Sequence, residues 1–188
     1  MGSASSSSRW LRGFVVLALL GATLGVLLDG IHSHFGATSY AHPVFFRAAW
    51  WVPPLFAGAF ASGLLRPLLE RALGKVAAPP AAGDVLLALG IFVAAYWLTV
   101  APLAWPIVAA ALLSMFAFSW WRYDRSPVVL GMAVAVAFIG PAIESLLVSR
   151  GLFVHHQAIA FGVPGWLPFL YLNSAVPLCG LAKRLVDG

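Results

Sequence analysis

Glu144 is the side chain that chemistry could most readily use. It stands in PVVLGMAVAVAFIGPAIESLLVS, an otherwise apolar stretch, three residues after Pro141. An ionisable group at such a depth faces a bundle interior or a wet cavity. It reads as a polar contact or proton carrier in a cavity, or as a group hydrogen-bonded to a neighbouring helix near the interface. Arg150 lies about 9 Å further along the same helix and on another face, so the two do not pair there. A second set combines Asp29 with His32 and His34, joined by His42, His155 and His156. Holding a metal would need two loops to converge on loosely spaced ligands, so a flexible polar loop is the preferred reading. Cys179 is the single cysteine, which excludes an intrachain disulfide and a thiolate zinc site. Ser62 and Ser114 have no base near them in sequence, and no HExxH, nucleophile elbow or phosphate loop occurs. The chain is not expected to be an enzyme, and no cofactor or metal is expected.

The elements that carry these groups are membrane helices. Of 188 residues, 62% are hydrophobic and 9% charged, whereas soluble domains are about a quarter charged. The few charges form no basic face, so nucleic acid is excluded as a partner. Residues 1–10, rich in serine, read as a disordered tail, and 11–188 as a single transmembrane domain. Stretches long enough to cross a bilayer fall near 11–28, 44–65, 84–102, 105–121, 127–149 and 165–182. The first has no convincing cleavage site after it and reads as a retained helix. The third and fourth are joined by a tight Pro-containing turn and should form a hairpin. The expected fold is thus an all-α, six-transmembrane-helix bundle.

Basic residues orient it. Arg9, Arg12, Arg66, Arg71, Lys75, Arg122, Arg125, Lys183 and Arg184 fall on the side of the N-terminus, and Arg47 and Arg150 on the other. By the positive-inside rule both termini are cytoplasmic. Pro53, Pro54, Pro141 and Pro177 lie within expected spans, where kinks would prop helices apart. Gly58, Ala61 and Gly63 would allow close helix contact. In SWWRYDRSP, Trp120 and Trp121 suit the aromatic belt, and Ser126-Pro127 reads as a helix N-cap and first turn. Asp124 then pairs with an arginine or the positive end of the next helix.

WWVPP (50–54), WWRYDRS (120–126) and GWLPF (165–169), taken in order, resemble the Insig (insulin-induced gene) family. RGFVVLALLGATLGVLL (12–28) looks like that family's first span, and the likeness continues through LGMAVAVAF (130–138), SLLV (145–148) and AKRL (182–185). The resemblance implies six spans, cytoplasmic termini and a regulatory lipid-binding role without catalysis. Animal members bind oxysterols and retain Scap and HMG-CoA reductase in the endoplasmic reticulum. It also implies a second reading of Asp124, as part of a surface that engages a polytopic membrane partner. The apolar YWLTVAPLAWP (96–106) and SPVVLG (126–131) depart from the animal pattern. Abundant Ala, Gly and Arg with minimal loops suggest a bacterial relative in the cytoplasmic membrane, or in the endoplasmic reticulum if the source is eukaryotic.

The expected function is to hold a sterol or diacylglycerol-like neutral lipid in an intramembrane cavity. Phe92, Tyr96, Trp97, Phe116, Trp120 and Phe138 are the expected walls, with Glu144 or Ser145 meeting a head group. The alternative is a small transporter or channel that uses Glu144 as its ionisable group. Self-association is left open.

Overall fold

Backbone polar groups inside a bilayer must be satisfied within the segment that carries them, which favours uninterrupted helices. A computed structural model describes residues 6–188 in these terms. Helix α1 (Ser6–His34) is followed by short strands β1 (Thr38–Tyr40), β2 (Pro43–Phe45) and β3 (Ala48–Ala49). Then come α2 (Val52–Ala72), α3 (Ala82–Thr99), α4 (Trp105–Tyr123), α5 (Pro127–Ser149), β4 (Phe153–His155) and α6 (Leu167–Asp187). A π-helical turn at Gly21–Gly25 interrupts α1, and a 3-10 turn at Ser62–Leu64 interrupts α2. Helices α1, α2, α3 and α5 are long and apolar enough to cross a membrane. The other two reach the length but are less apolar over it, with Arg122 in α4 and Asn173, Lys183 and Arg184 in α6.

Several boundaries differ from the sequence reading. The expected tail over 1–10 is helical from Ser6, and residues 1–5 lie outside the described residues. The span expected at 44–65 is a β2–β3 hairpin followed by a helix that begins at Val52 and continues to Ala72. Pro53 and Pro54 therefore stand in the first turn of α2, where a missing N–H costs no helical bond. They start this helix rather than kink it. Pro141 and Pro177 do lie inside α5 and α6.

The polar residues of α6 explain its place in the fold. It packs against α1, α3, α4 and α5 and along the inner part of α2. Asn173 is buried and donates through Nδ2 to the carbonyls of Leu112 (2.9 Å) and Phe169 (2.8 Å). Lys183, also buried, reaches Glu70 Oε2 at 2.5 Å and Asp187 Oδ2 at 2.9 Å. Polar groups facing protein rather than lipid are what a bilayer demands. Gly63 lets α2 approach closely: a Cβ there would sit 2.7 Å from the Leu178 carbonyl oxygen of α6. Gly58, by contrast, has nothing among the described residues within 4 Å of such a Cβ.

Because successive helices alternate in direction, the two ends of the bundle differ in chemistry. Arg9, Arg12, Arg66, Arg71, Arg122 and Lys183 gather at one, the arginine end, and all five histidines at the other, the histidine end. The histidine end is not the flexible loop expected. Strand β1 pairs antiparallel with β4, matching Thr38 to His155 and Tyr40 to Phe153. His32 and His155 are buried, while His34, His42 and His156 stay exposed.

Candidate functional site

Above the close contact at Gly63, α2 and α5 are separated by a cavity of about 530 Å³. Its long walls are apolar: Leu55 and Phe60 from α2, Val136 and Ile143 from α5, and Leu167 and Leu170 from α6. Phe92 and Tyr96 of α3 close the back. The size is that of small-ligand sites, which combine apolar walls with a few placed polar groups.

Those polar groups sit together at the histidine end. Glu144 accepts hydrogen bonds from Tyr171 Oη at 2.6 Å and from His155 Nε2 at 2.6 Å, so both carboxylate oxygens are engaged. Asp29 Oδ2 accepts from Tyr40 Oη at 2.8 Å. Burial and the adjacent Asp29 carboxylate push the Tyr40 phenol up from its usual range, which keeps it a donor. His32 Nε2 lies 2.7 Å from Thr99 Oγ1, whose own proton goes to the Tyr96 carbonyl at 2.7 Å, so the ring donates.

Local structure sets each of these positions. Asp29 and His32, three residues apart on α1, share one helix face. Tyr40 and His155 come from the paired strands β1 and β4. The Tyr40 ring stacks on Phe153, with centroids 5.4 Å apart. Gly140 gives the Tyr171 ring room on α5, since a Cβ there would overlap its edge.

One atom of this cluster is unanswered. His155 is 4% exposed, and its Nδ1 has no hydrogen-bond partner among the described residues. With Nε2 turned to Glu144, this nitrogen is an acceptor in the neutral ring. A buried polar atom left so is costly unless a ligand or water meets it.

Of the eight wall and head-group residues expected, Phe92, Tyr96 and Glu144 line the cavity. Trp97 and Phe138 point away from it and are 52% and 75% exposed. Phe116 is packed among α3, α5 and α6 residues in a separate core. Trp120 donates through Nε1 to the Ser126 carbonyl at 3.1 Å, and Ser145 Oγ donates to the Phe161 carbonyl at 2.7 Å. Asp29, Tyr40, His155 and Tyr171 were not foreseen as one site. The available signal was Asp29 directly after the first expected span, three residues before a histidine.

Asp124 lies at the opposite end and is buried. It pairs with Arg66, which is itself held by Glu70 at 2.8 Å, and it accepts from the Ser126 N–H at 3.2 Å. Ser126 caps α5 as expected, accepting from Val128 N at 3.2 Å. The aspartate is an internal clamp between α2 and the α4–α5 turn.

A helical membrane bundle with a cavity capped by buried acids and tyrosines is the class of protein that these features define. No family model matches the chain. It is 28% identical to the insulin-induced gene 1 protein of Bos taurus, spanning 100% of this chain and 72% of that one. The human insulin-induced gene 1 protein is 27% identical, over 96% of this chain and 68% of its own length. The crystal structure of MvINS, the mycobacterial Insig homologue from Mycobacterium vanbaalenii, superposes with a TM-score of 0.79. That match has 28% identity and covers 91% of this chain and 92% of the other. A cross-linked MvINS trimer gives a TM-score of 0.82 at 29% identity, over 93% of this chain and 94% of the other. The chain is an Insig homologue and an integral membrane protein.

Proposed function

We propose that the cavity holds a neutral lipid with a free hydroxyl, a sterol or a diacylglycerol-like molecule, and that the protein is a regulatory sensor rather than an enzyme. The observation that carries this reading is the apolar cavity of about 530 Å³ between α2 and α5, with Asp29, Glu144 and His155 lining its polar end. A lipid hydroxyl meets these polar groups, while its hydrocarbon lies along α2 and α5. The neighbouring carboxyl groups of Asp29 and Glu144 disfavour a phosphate head group in the same place. The bundle takes all six helices across the membrane, with the arginine end and both termini cytoplasmic. Four basic residues of α6 and α1 then face that side (Arg9, Arg12, Lys183 and Arg184), as the positive-inside rule requires. A bacterial cytoplasmic membrane suits the likeness to the mycobacterial homologue, whose trimer supports self-association here.

Native mass spectrometry of protein purified in mild detergent tests the reading. A co-purifying neutral lipid is expected, and His155→Phe should reduce its retention. Repeated absence of such a lipid, together with no binding of added sterol or diacylglycerol, overturns it.

A further inference from the structure

The β2–β3 hairpin makes its turn with two residues that are poorly suited to it. Phe45 pairs with Ala48, and between them Phe46 and Arg47 have φ of 46° and 65°. Two successive positive φ values are the requirement of a type I′ turn, for which Asn-Gly is the favoured sequence. An aromatic and a long cationic residue cost free energy in that conformation. Such strain is kept where the side chains serve a purpose that the turn itself does not need.

Both side chains enter one groove. Phe46 and Arg47 line it with Leu27, Ile31 and His34 of α1 and Trp97 of α3. The groove has a volume of about 340 Å³ and is separate from the cavity between α2 and α5. Its position is fixed by two helix ends: α1 stops at His34 and α3 at Thr99. It therefore lies at the boundary of the bilayer, where exposed aromatic residues such as Trp97 settle. Phe46 is 70% exposed there. Arg47 reaches the Ser33 carbonyl at 3.5 Å through one nitrogen, and among the described residues no carboxylate pairs with it. A guanidinium has five donors and fits a phosphate bidentately.

We infer that this groove binds an anionic phospholipid of the leaflet at the histidine end. The phosphate meets Arg47, and an acyl chain runs between Leu27, Ile31 and Trp97 toward the membrane interior. The apolar walls continue into the bilayer, which selects a lipid over a free phosphate ion. The inference stands apart from the neutral-lipid reading of the cavity, because no residue lines both sites.

The test uses the full chain in detergent with dioleoylphosphatidylglycerol and dioleoylphosphatidylcholine as probes, read by native mass spectrometry. The native protein should retain the glycerol lipid in preference to the choline lipid. Arg47→Gln should weaken that retention about fivefold, the usual worth of one basic residue near an anionic headgroup. The double change Phe46→Asn with Arg47→Gly should hold or raise the thermal midpoint while losing the preference. Equal retention of both lipids by the native protein overturns the inference, as does undiminished retention by Arg47→Gln. A fall in thermal midpoint of the Asn-Gly variant also overturns it, since the native residues would then be structural. Displacement of the lipid by inorganic phosphate alone would assign the site to the free ion and overturn it too.

Discussion

Buried charge is the main expense of this molecule at the scale of single residues, and the two ends meet it differently. At the histidine end the carboxylates of Asp29 and Glu144 are answered by phenols and an imidazole. At the arginine end, Arg66, Glu70, Asp124 and Lys183 form a connected set of ion pairs away from water. Burial raises the Asp124 carboxyl, with Arg66 and the Ser126 N–H pulling the other way. Removing one partner from such a set strands the others, at a cost of about 3–5 kcal/mol. Asp124→Ala should therefore lower the thermal midpoint markedly in detergent. Asp124→Asn, which keeps a neutral acceptor for Ser126 and Arg66, should lower it less. An Ala variant with an unchanged midpoint that fails only to bind a membrane partner would favour the docking surface over the clamp.

At the scale of elements, glycine spacing decides which helices touch and which stand apart. Gly63 and Gly58 lie on the same helix, yet only Gly63 meets the backbone of α6. Gly63→Ala should push α2 from α6 and destabilise the fold. Gly58→Ala should be neutral or stabilising, by up to about 1 kcal/mol, since alanine is the better helix former. Thermal unfolding of the two variants checks the contrast, and equal effects would refute it. The same scale shows how far the sequence could be read. The bounds of α5 were legible because Ser126-Pro127 is a local signal, and the α3–α4 hairpin because its turn is short and carries proline. The start of α2 was misplaced because WWVPP continues an apolar run, and only the hairpin shows that the prolines open the helix. The cavity walls were illegible for a deeper reason. A membrane helix is apolar on the face toward lipid and on the face toward protein, so no periodicity separates Tyr96 from Trp97. The buried histidine cluster depends on β1 meeting β4 across more than a hundred residues, which no local pattern encodes.

For the whole molecule the question is which end faces the cytoplasm. Position, charge and chemistry agree in separating an arginine end from a histidine end, and the positive-inside rule then predicts a direction. Cys179 makes this testable without a cysteine-free background, because the thiol is buried in α6 and shielded from reagents. New cysteines belong at exposed positions outside the helices: Arg125 in the α4–α5 turn and Val154 in β4. Neither side chain is engaged in the buried clusters, although Arg125 does lie over the Trp121 ring at 4.9 Å. A membrane-impermeant maleimide applied to intact cells should label Val154→Cys and leave Arg125→Cys untouched. Permeabilised cells should label both, and the native chain should stay unlabelled in either case. The reverse pattern would place the arginine end outside. The hydroxyl-binding end of the cavity and the proposed phospholipid groove would then both move to the cytoplasmic leaflet.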